Sequence, residues 1–186
     1  MKLPLCNVCV TSGILCNACQ AKLDSGEMTD EDIKIARVLK KEFADEKNVK
    51  NAEIKRIVST KSLVLIVCSK DSGPALIGKG GTIVKRLGQE LGKNVRVVEE
   101  SDDMRTFLQN IIFPVPVISL NVLYANSGEK YRIRVPAGRP LPINKDMFLE
   151  VAAEILGKPV ELITERGDYK IETAEQKIKR LARQIK

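Results

Sequence analysis

Two groups of residues in this 186-residue chain have types and spacings that could do chemistry. The first is Cys6-x2-Cys9 followed, after six residues, by Cys16-x2-Cys19. Each C-x2-C pair turns two sulfurs to the same side of a tight knuckle, and two such pairs make a tetrahedral S4 site. Four ligands close the coordination shell, so the expected role is structural, with Zn2+ as the expected ion. An iron–sulfur cluster or a redox dithiol pair remains open on spacing alone, because thiolates also suit iron. Little hydrophobic periodicity surrounds these cysteines, and a metal is expected to drive the folding of residues 1–28.

The second group is Gly78-Lys79-Gly80-Gly81, inside Leu76-Ile77-Gly78-Lys79-Gly80-Gly81-Thr82-Ile83-Val84-Lys85-Arg86-Leu87. Glycines at both ends of a four-residue link between helices permit positive φ and remove side chains that would hold another backbone away. A helix N-terminus facing the link adds partial positive charge for a phosphate. Lys79 in the link, with Lys85 and Arg86 a turn further on, supplies cations. A single nucleic-acid strand could lie in an aliphatic groove made by residues such as Ile77 and Val84, with no need for an aromatic platform. A P-loop is the rival reading, since Gly73-Pro74-Ala75-Leu76-Ile77-Gly78-Lys79 satisfies G-x4-G-K. The next residue is Gly80, where the hydroxyl that holds magnesium should stand. Thr82 is out of register, and nucleotide hydrolysis is not expected.

Composition narrows the classes further. The chain has no histidine, which excludes Ser-His-Asp and Cys-His catalysis and any imidazole ligand. No enzymatic activity is expected. Trp is absent and aromatics make up 4% of the residues, too few for an RRM-type stacking sheet. A formal charge of +7 favours an anionic partner. That excess lies in residues 30–100 and 166–186, each at +4, whereas residues 101–165 carry −1. No apolar run reaches the roughly 20 residues that span a bilayer, and MKLPLCNVC is not a signal peptide. Cysteines with metal spacing fit a reducing compartment, so a cytoplasmic protein is expected.

The elements that must position these groups follow from hydrophobic patterning. Thr29-Asp30-Glu31-Asp32 opens a helix that carries Ile35, Ala36, Leu39 and Phe43 to about Glu46. Strands are predicted over Glu53–Ser59 and Lys61–Ser69, the second with a continuously apolar run as in a strand buried on both faces. A short helix leads into the glycine link. A further helix runs from Thr82 to about Leu91, with Val84, Leu87 and Leu91 on one side, and Val95–Glu99 is a strand. Cys68 reads as a buried core thiol.

The order then recurs. Ser101-Asp102-Asp103 opens a helix to about Ile112, with the acidic residues as caps. Val117–Tyr124 and Lys130–Val135 form a hairpin across Asn126-Ser127-Gly128. Asn144 caps a helix to Leu156, and Val160–Thr164 is a strand. Leu91-Gly92-Lys93-Asn94-Val95 matches Leu156-Gly157-Lys158-Pro159-Val160, which suggests duplication. The second unit has Pro136-Ala137-Gly138-Arg139-Pro140 in place of the glycine link. Lys130, Arg132 and Arg134 alternate onto one strand face where they could meet phosphate. A capping box at Thr173-Ala174-Glu175-Gln176 begins a basic helix in the tail, read either as docked on its own domain or as ordered by RNA.

At Ile77-Gly78-Lys79-Gly80-Gly81-Thr82-Ile83-Val84, within this order of elements, the chain resembles the KH family in its type II arrangement. The resemblance covers residues 30–100 and more weakly 101–165. Two such units in tandem, the second degenerate, are similar to the KH half of NusA transcription factors and to short archaeal NusA-like proteins. The implied fold is α/β (α+β): a four-cysteine zinc module (1–28), a type II KH domain (29–100), a degenerate KH-like domain (101–165) and a basic helix (166–186). The implied function is binding of single-stranded RNA through Ile77, Gly78, Lys79, Gly80, Gly81, Val84, Lys85 and Arg86, in transcription elongation or termination, with RNA polymerase or the ribosome as candidate partners. A ribosome-associated or RNA-processing factor is the alternative within that class. A protein-interaction adaptor, with the KH unit as scaffold, is the alternative outside it.

Overall fold

The computed structural model describes residues 1–43, 46, 49–125 and 128–167. These divide into two compact units, the first Met1–Asp102 and the second beginning at Asp103. Each is built as a three-stranded mixed sheet with helices.

In the first unit the elements are α1 (Asn7–Ser12), α2 (Asn17–Asp24), α3 (Asp30–Phe43), β1 (Ile54–Ser59), β2 (Leu63–Cys68), α4 (Gly73–Ile77), α5 (Thr82–Leu91) and β3 (Asn94–Glu99). A single 3-10 turn, Lys79–Gly81, separates α4 from α5. The sheet order is β1-β2-β3, antiparallel between the first pair and parallel between the second. Every residue of β2 is buried, as its unbroken apolar sequence requires of a central strand covered on both faces.

Helix α3 begins with a reciprocal capping box. Thr29 Oγ1 accepts the Asp32 N–H at 3.2 Å, while Asp32 Oδ2 accepts the Thr29 N–H at 2.9 Å and its hydroxyl at 2.8 Å. Two otherwise orphaned donors are thereby satisfied, which fixes the start of the helix. Its buried face, Ile35, Ala36, Leu39 and Phe43, meets Val64, Ile66 and Cys68 of β2 and Ile83 and Leu87 of α5 in one core. Cys68 is a core thiol: its S–H donates to the Val98 carbonyl at 3.4 Å, and burial pushes its pKa up to about 11.

The cysteine segment is more helical and better packed than its sequence suggests. Leu5, Cys9, Val10, Cys19 and Met28 are buried in the same core as α3. Lys2 bridges Glu53 next to β1, and Arg37 of α3 donates to the Gly13 carbonyl at 2.8 Å. The periodicity is hard to see because α1 and α2 have only six and eight residues, too few to repeat a 3.6-residue pattern.

The second unit contains α6 (Met104–Ile111), β4 (Ser119–Ala125), β5 (Gly128–Pro136), α7 (Lys145–Leu156) and β6 (Val160–Glu165). Its sheet order is β4-β5-β6, again antiparallel then parallel. This is the topology of the first unit without a counterpart of α4 and the glycine turn. Asp103 caps α6 by accepting the Thr106 N–H at 2.8 Å. Asn144 caps α7 by accepting the Asp146 N–H at 2.8 Å. Leu108, Ile111, Ile133, Phe148 and Val151 are fully buried. Of the basic tail only Arg166 and Gly167 are among the described residues; the helix expected there, and Asn126-Ser127 of the hairpin turn, lie outside them.

Candidate nucleic-acid interface and metal centre

The glycine turn has the backbone that its sequence predicts. Gly78, Gly80 and Gly81 have φ of 74°, 63° and 76°, a region in which a Cβ is strained. Gly78 is the most constrained, since a Cβ there would stand 2.8 Å from Ile83 Cγ1 and 2.9 Å from Thr82 Oγ1. Gly80 has nothing within 4 Å of that position, so its requirement is conformational alone. Gly81 is the N-cap of the ten-residue α5 and supplies no side-chain hydrogen bond. The first N–H groups of α5 thus lack a side-chain cap, at the end where the helix carries partial positive charge.

Lys79 and Gly80 are exposed in this turn, and Ile77 stands 38% exposed beside it. A groove of about 710 Å³ runs between α5 and β3, lined by Val84, Lys85 and Gly88 on the helix, Lys93 and Val95 opposite, and Lys61 from the β1–β2 turn. Val84 links turn to groove: its Cγ2 lies 3.6 Å from where a Cβ on Gly81 would be. Gly88 lets the chain turn tightly at the end of α5: its carbonyl accepts the Lys93 N–H at 3.2 Å, and a Cβ there would come within 3.0 Å of the Lys93 carbonyl.

The expected site residues therefore divide. Ile77, Gly78, Lys79, Gly80, Gly81, Val84 and Lys85 lie at the turn or the groove. Val84 is on the groove side, while Ile83 and Leu87 face the core. Arg86 points elsewhere: its guanidinium bonds Glu46 Oε1 at 3.1 Å and the Glu42 carbonyl at 2.7 Å, and lies 4.4 Å from the Phe43 ring centroid. Lys61, Gly88, Lys93 and Val95 were not singled out from sequence. Only Gly88 carried a signal, as a glycine inside a helix. Lys93 is held by Glu31 and the Thr60 carbonyl, both at 2.6 Å, and by Ser59 Oγ at 3.1 Å. This ion pair draws the Glu31 carboxyl below its usual range.

The basic stripe on β5 is also occupied. Lys130 and Arg132 both pair with Glu161 of β6, and Arg134 lies 3.9 Å from Glu165. Cross-strand acids thus offset the charges that the sequence suggested for phosphate.

The four paired cysteines converge. Cys6 and Cys16 are the N-caps of α1 and α2, with Cys9 and Cys19 one turn in. Their sulfurs all lie within 4.8 Å of one another, close to the edge of about 3.8 Å that a tetrahedron with metal–sulfur bonds of about 2.3 Å would have. Cys6 and Cys9 sulfurs are 3.2 Å apart, well beyond a disulfide bond. The N–H of Cys19, followed by contacts with the neighbouring thiols, brings Cys16 down to about 7. At Cys9 the N–H of Cys16 acts in the same direction, but sharing with the Cys6 thiol and burial outweigh it and push that thiol up to about 12. Four sulfurs at this spacing, at the positive ends of two helices, can hold a metal ion.

A mixed sheet, two helices joined by a glycine turn and an adjoining groove define a KH domain. A family model described as KH domain matches residues 34–134, and the chain belongs to that family. Among curated proteins it is 38% identical over 98 residues to the "Probable transcription termination protein NusA" of Methanococcus vannielii. It is 41% identical over 59 residues to the protein of that name from Methanocaldococcus jannaschii. These alignments cover 52% and 32% of this chain, and 56% and 32% of the relatives' own lengths. The solved structure titled "Crystal structure of APE1850" shares the fold, with a TM-score of 0.56 at 22% identity, covering 74% of this chain and all of that one. No helix among the described residues is long and apolar enough to cross a membrane.

Proposed function

We propose that the protein binds single-stranded RNA, with the backbone gripped at Gly78-Lys79-Gly80-Gly81 and bases laid along the α5–β3 groove. The observation that carries this reading is the turn itself. Three positive-φ glycines bring an uncapped helix N-terminus and the exposed Lys79 to the surface beside Val84. A phosphate can approach that backbone at Gly80, where nothing stands within 4 Å of the Cβ position, and the helix end and Lys79 supply opposite charge. Ile77 and Val84 supply apolar contact, and Lys85 a second cation. Neither Lys79 nor Lys85 forms an ion pair among the described residues. Their free charge favours an RNA-binding site over a scaffold that merely holds a protein partner.

The names of the two archaeal relatives support a role in transcription termination, and elongation belongs to the same reading of the chain as NusA-like. RNA polymerase is the partner that this role implies. In this reading the cysteine cluster (1–28) holds one structural Zn2+, residues 29–100 form the RNA-binding KH domain, 101–165 the degenerate unit and 166–186 a basic extension. The protein performs no catalysis.

The test replaces Lys79 and Gly80 together by Asp and measures anisotropy of a short labelled single-stranded RNA. Affinity should fall at least tenfold, with the melting temperature lowered only by the few degrees that about 1 kcal/mol of strain at Gly80 implies. Unaltered affinity in the folded variant would place the RNA site elsewhere.

A further inference from the structure

Lys85 and Arg86 are neighbours in sequence and look like a dibasic phosphate contact. An α-helix advances about 100° per residue, so the two side chains leave α5 in different directions. Lys85 lies with Val84 and Gly88 on the groove, whereas Arg86 reaches across to the end of α3. There its guanidinium does three things at once. It donates to the Glu42 carbonyl at 2.7 Å, pairs with Glu46 at 3.1 Å and lies over Phe43, the last residue of α3.

Glu42 and Phe43 belong to the last turn of α3, whose carbonyls have no partner within the helix. A guanidinium satisfies such a carbonyl and also complements the negative end of the helix. Phe43 is fully buried in the core shared by α3, β2 and α5, so Arg86 bears on a residue anchored in that core. The result is a clamp one turn from the glycine link, between α5 and the long helix packed beside it.

We infer that Arg86 is a positioning residue: it fixes where α5 lies, and hence the width of the α5–β3 groove and the aim of the glycine turn, without touching RNA. The inference rests on the proposed reading of the groove as the RNA site. The groove follows α5 because Val84, Lys85 and Gly88 of that helix form one wall, with Val95 of β3 opposite.

A direct contact and a clamp differ in sign at Glu46. If Arg86 met phosphate, the nearby Glu46 carboxylate would repel RNA, and Glu46→Gln would tighten binding. If Arg86 is a clamp, Glu46→Gln loosens it and weakens binding, although a negative charge has been removed. The salt dependence separates the two again. Each phosphate contact to a single strand contributes about 0.7 to the slope of log affinity against log salt.

The experiment measures anisotropy of a short single-stranded RNA at several salt concentrations for full-length Lys85→Ala, Arg86→Ala, Glu46→Gln and the Arg86→Ala/Glu46→Gln pair. Lys85→Ala should lower the slope by about 0.7. Arg86→Ala should weaken binding about five-fold to ten-fold with the slope unchanged. Glu46→Gln should weaken it in the same direction, and the pair should be no worse than Arg86→Ala alone, as coupled residues behave. A slope reduced in Arg86→Ala, together with tighter binding in Glu46→Gln, would overturn the inference in favour of direct contact. Unchanged affinity in both would overturn it as well. Loss of neither slope nor affinity in Lys85→Ala would instead count against the groove as the RNA site, a separate failure.

Discussion

The backbone N–H of Cys16 points at the sulfur of Cys9, 3.1 Å away, so the start of α2 is tied to the first turn of α1. The two C-x2-C pairs are therefore assembled into one site by helix geometry as well as by sequence. The sulfurs of Cys9 and Cys19 belong to the core of the first unit. On the proposed reading of a bound Zn2+, replacing Cys16 by Ser should release that ion and, because the core is shared, also lower the melting temperature of the first unit. Elemental analysis beside a thermal melt checks both. Full metal retention would rule out Cys16 as a ligand.

The glycines of the turn should not be equivalent. At Gly78 an added Cβ meets Ile83 and Thr82 in addition to the strain of positive φ; at Gly80 only the strain applies. Gly80→Ala should cost about 1 kcal/mol. Gly78→Ala should cost roughly 2–3 kcal/mol, as measured by urea unfolding. Equal costs would show that Ile83 yields without penalty.

Acid should loosen the rim of the groove. The Lys93 ammonium holds the Glu31 carboxyl below its usual value. A carboxyl depressed in the folded state stabilises it above the unfolded value, near about 4.3, and loses that contribution as pH falls through the lower folded value. Glu31→Gln should therefore reduce stability at neutral pH by a small amount, in keeping with its half-exposed position. It should also flatten the decline below about pH 4.3. Denaturation curves between neutral and acid pH measure this.

The second unit should contribute little through its strand cations. Lys130 and Arg132 share Glu161, and Arg134 neighbours Glu165. Arg132→Ala should change RNA affinity less than two-fold, against a several-fold loss for Lys79→Ala, read by the same anisotropy titration. A larger loss in Arg132→Ala would transfer part of the site to β5.

Local chemistry was legible in the chain. The four cysteines, the glycine turn and the Thr29, Asp103 and Asn144 caps all act over a few residues, so sequence neighbours are also spatial neighbours. The strands followed from continuous or alternating apolar runs, and the repeated element order from their succession. Which way a cation points was not legible, because that depends on what packs beside its helix or strand. Lys85 and Arg86 look alike in sequence, yet the end of α3 draws only Arg86 away. Lys130, Arg132 and Arg134 look like a phosphate stripe until β6, about thirty residues later, sets Glu161 and Glu165 against them. Lys61 and Val95 acquire their places at the groove only when β3 pairs with β2. A sequence records the charge of each side chain, whereas its free partner capacity is decided by residues distant in the chain.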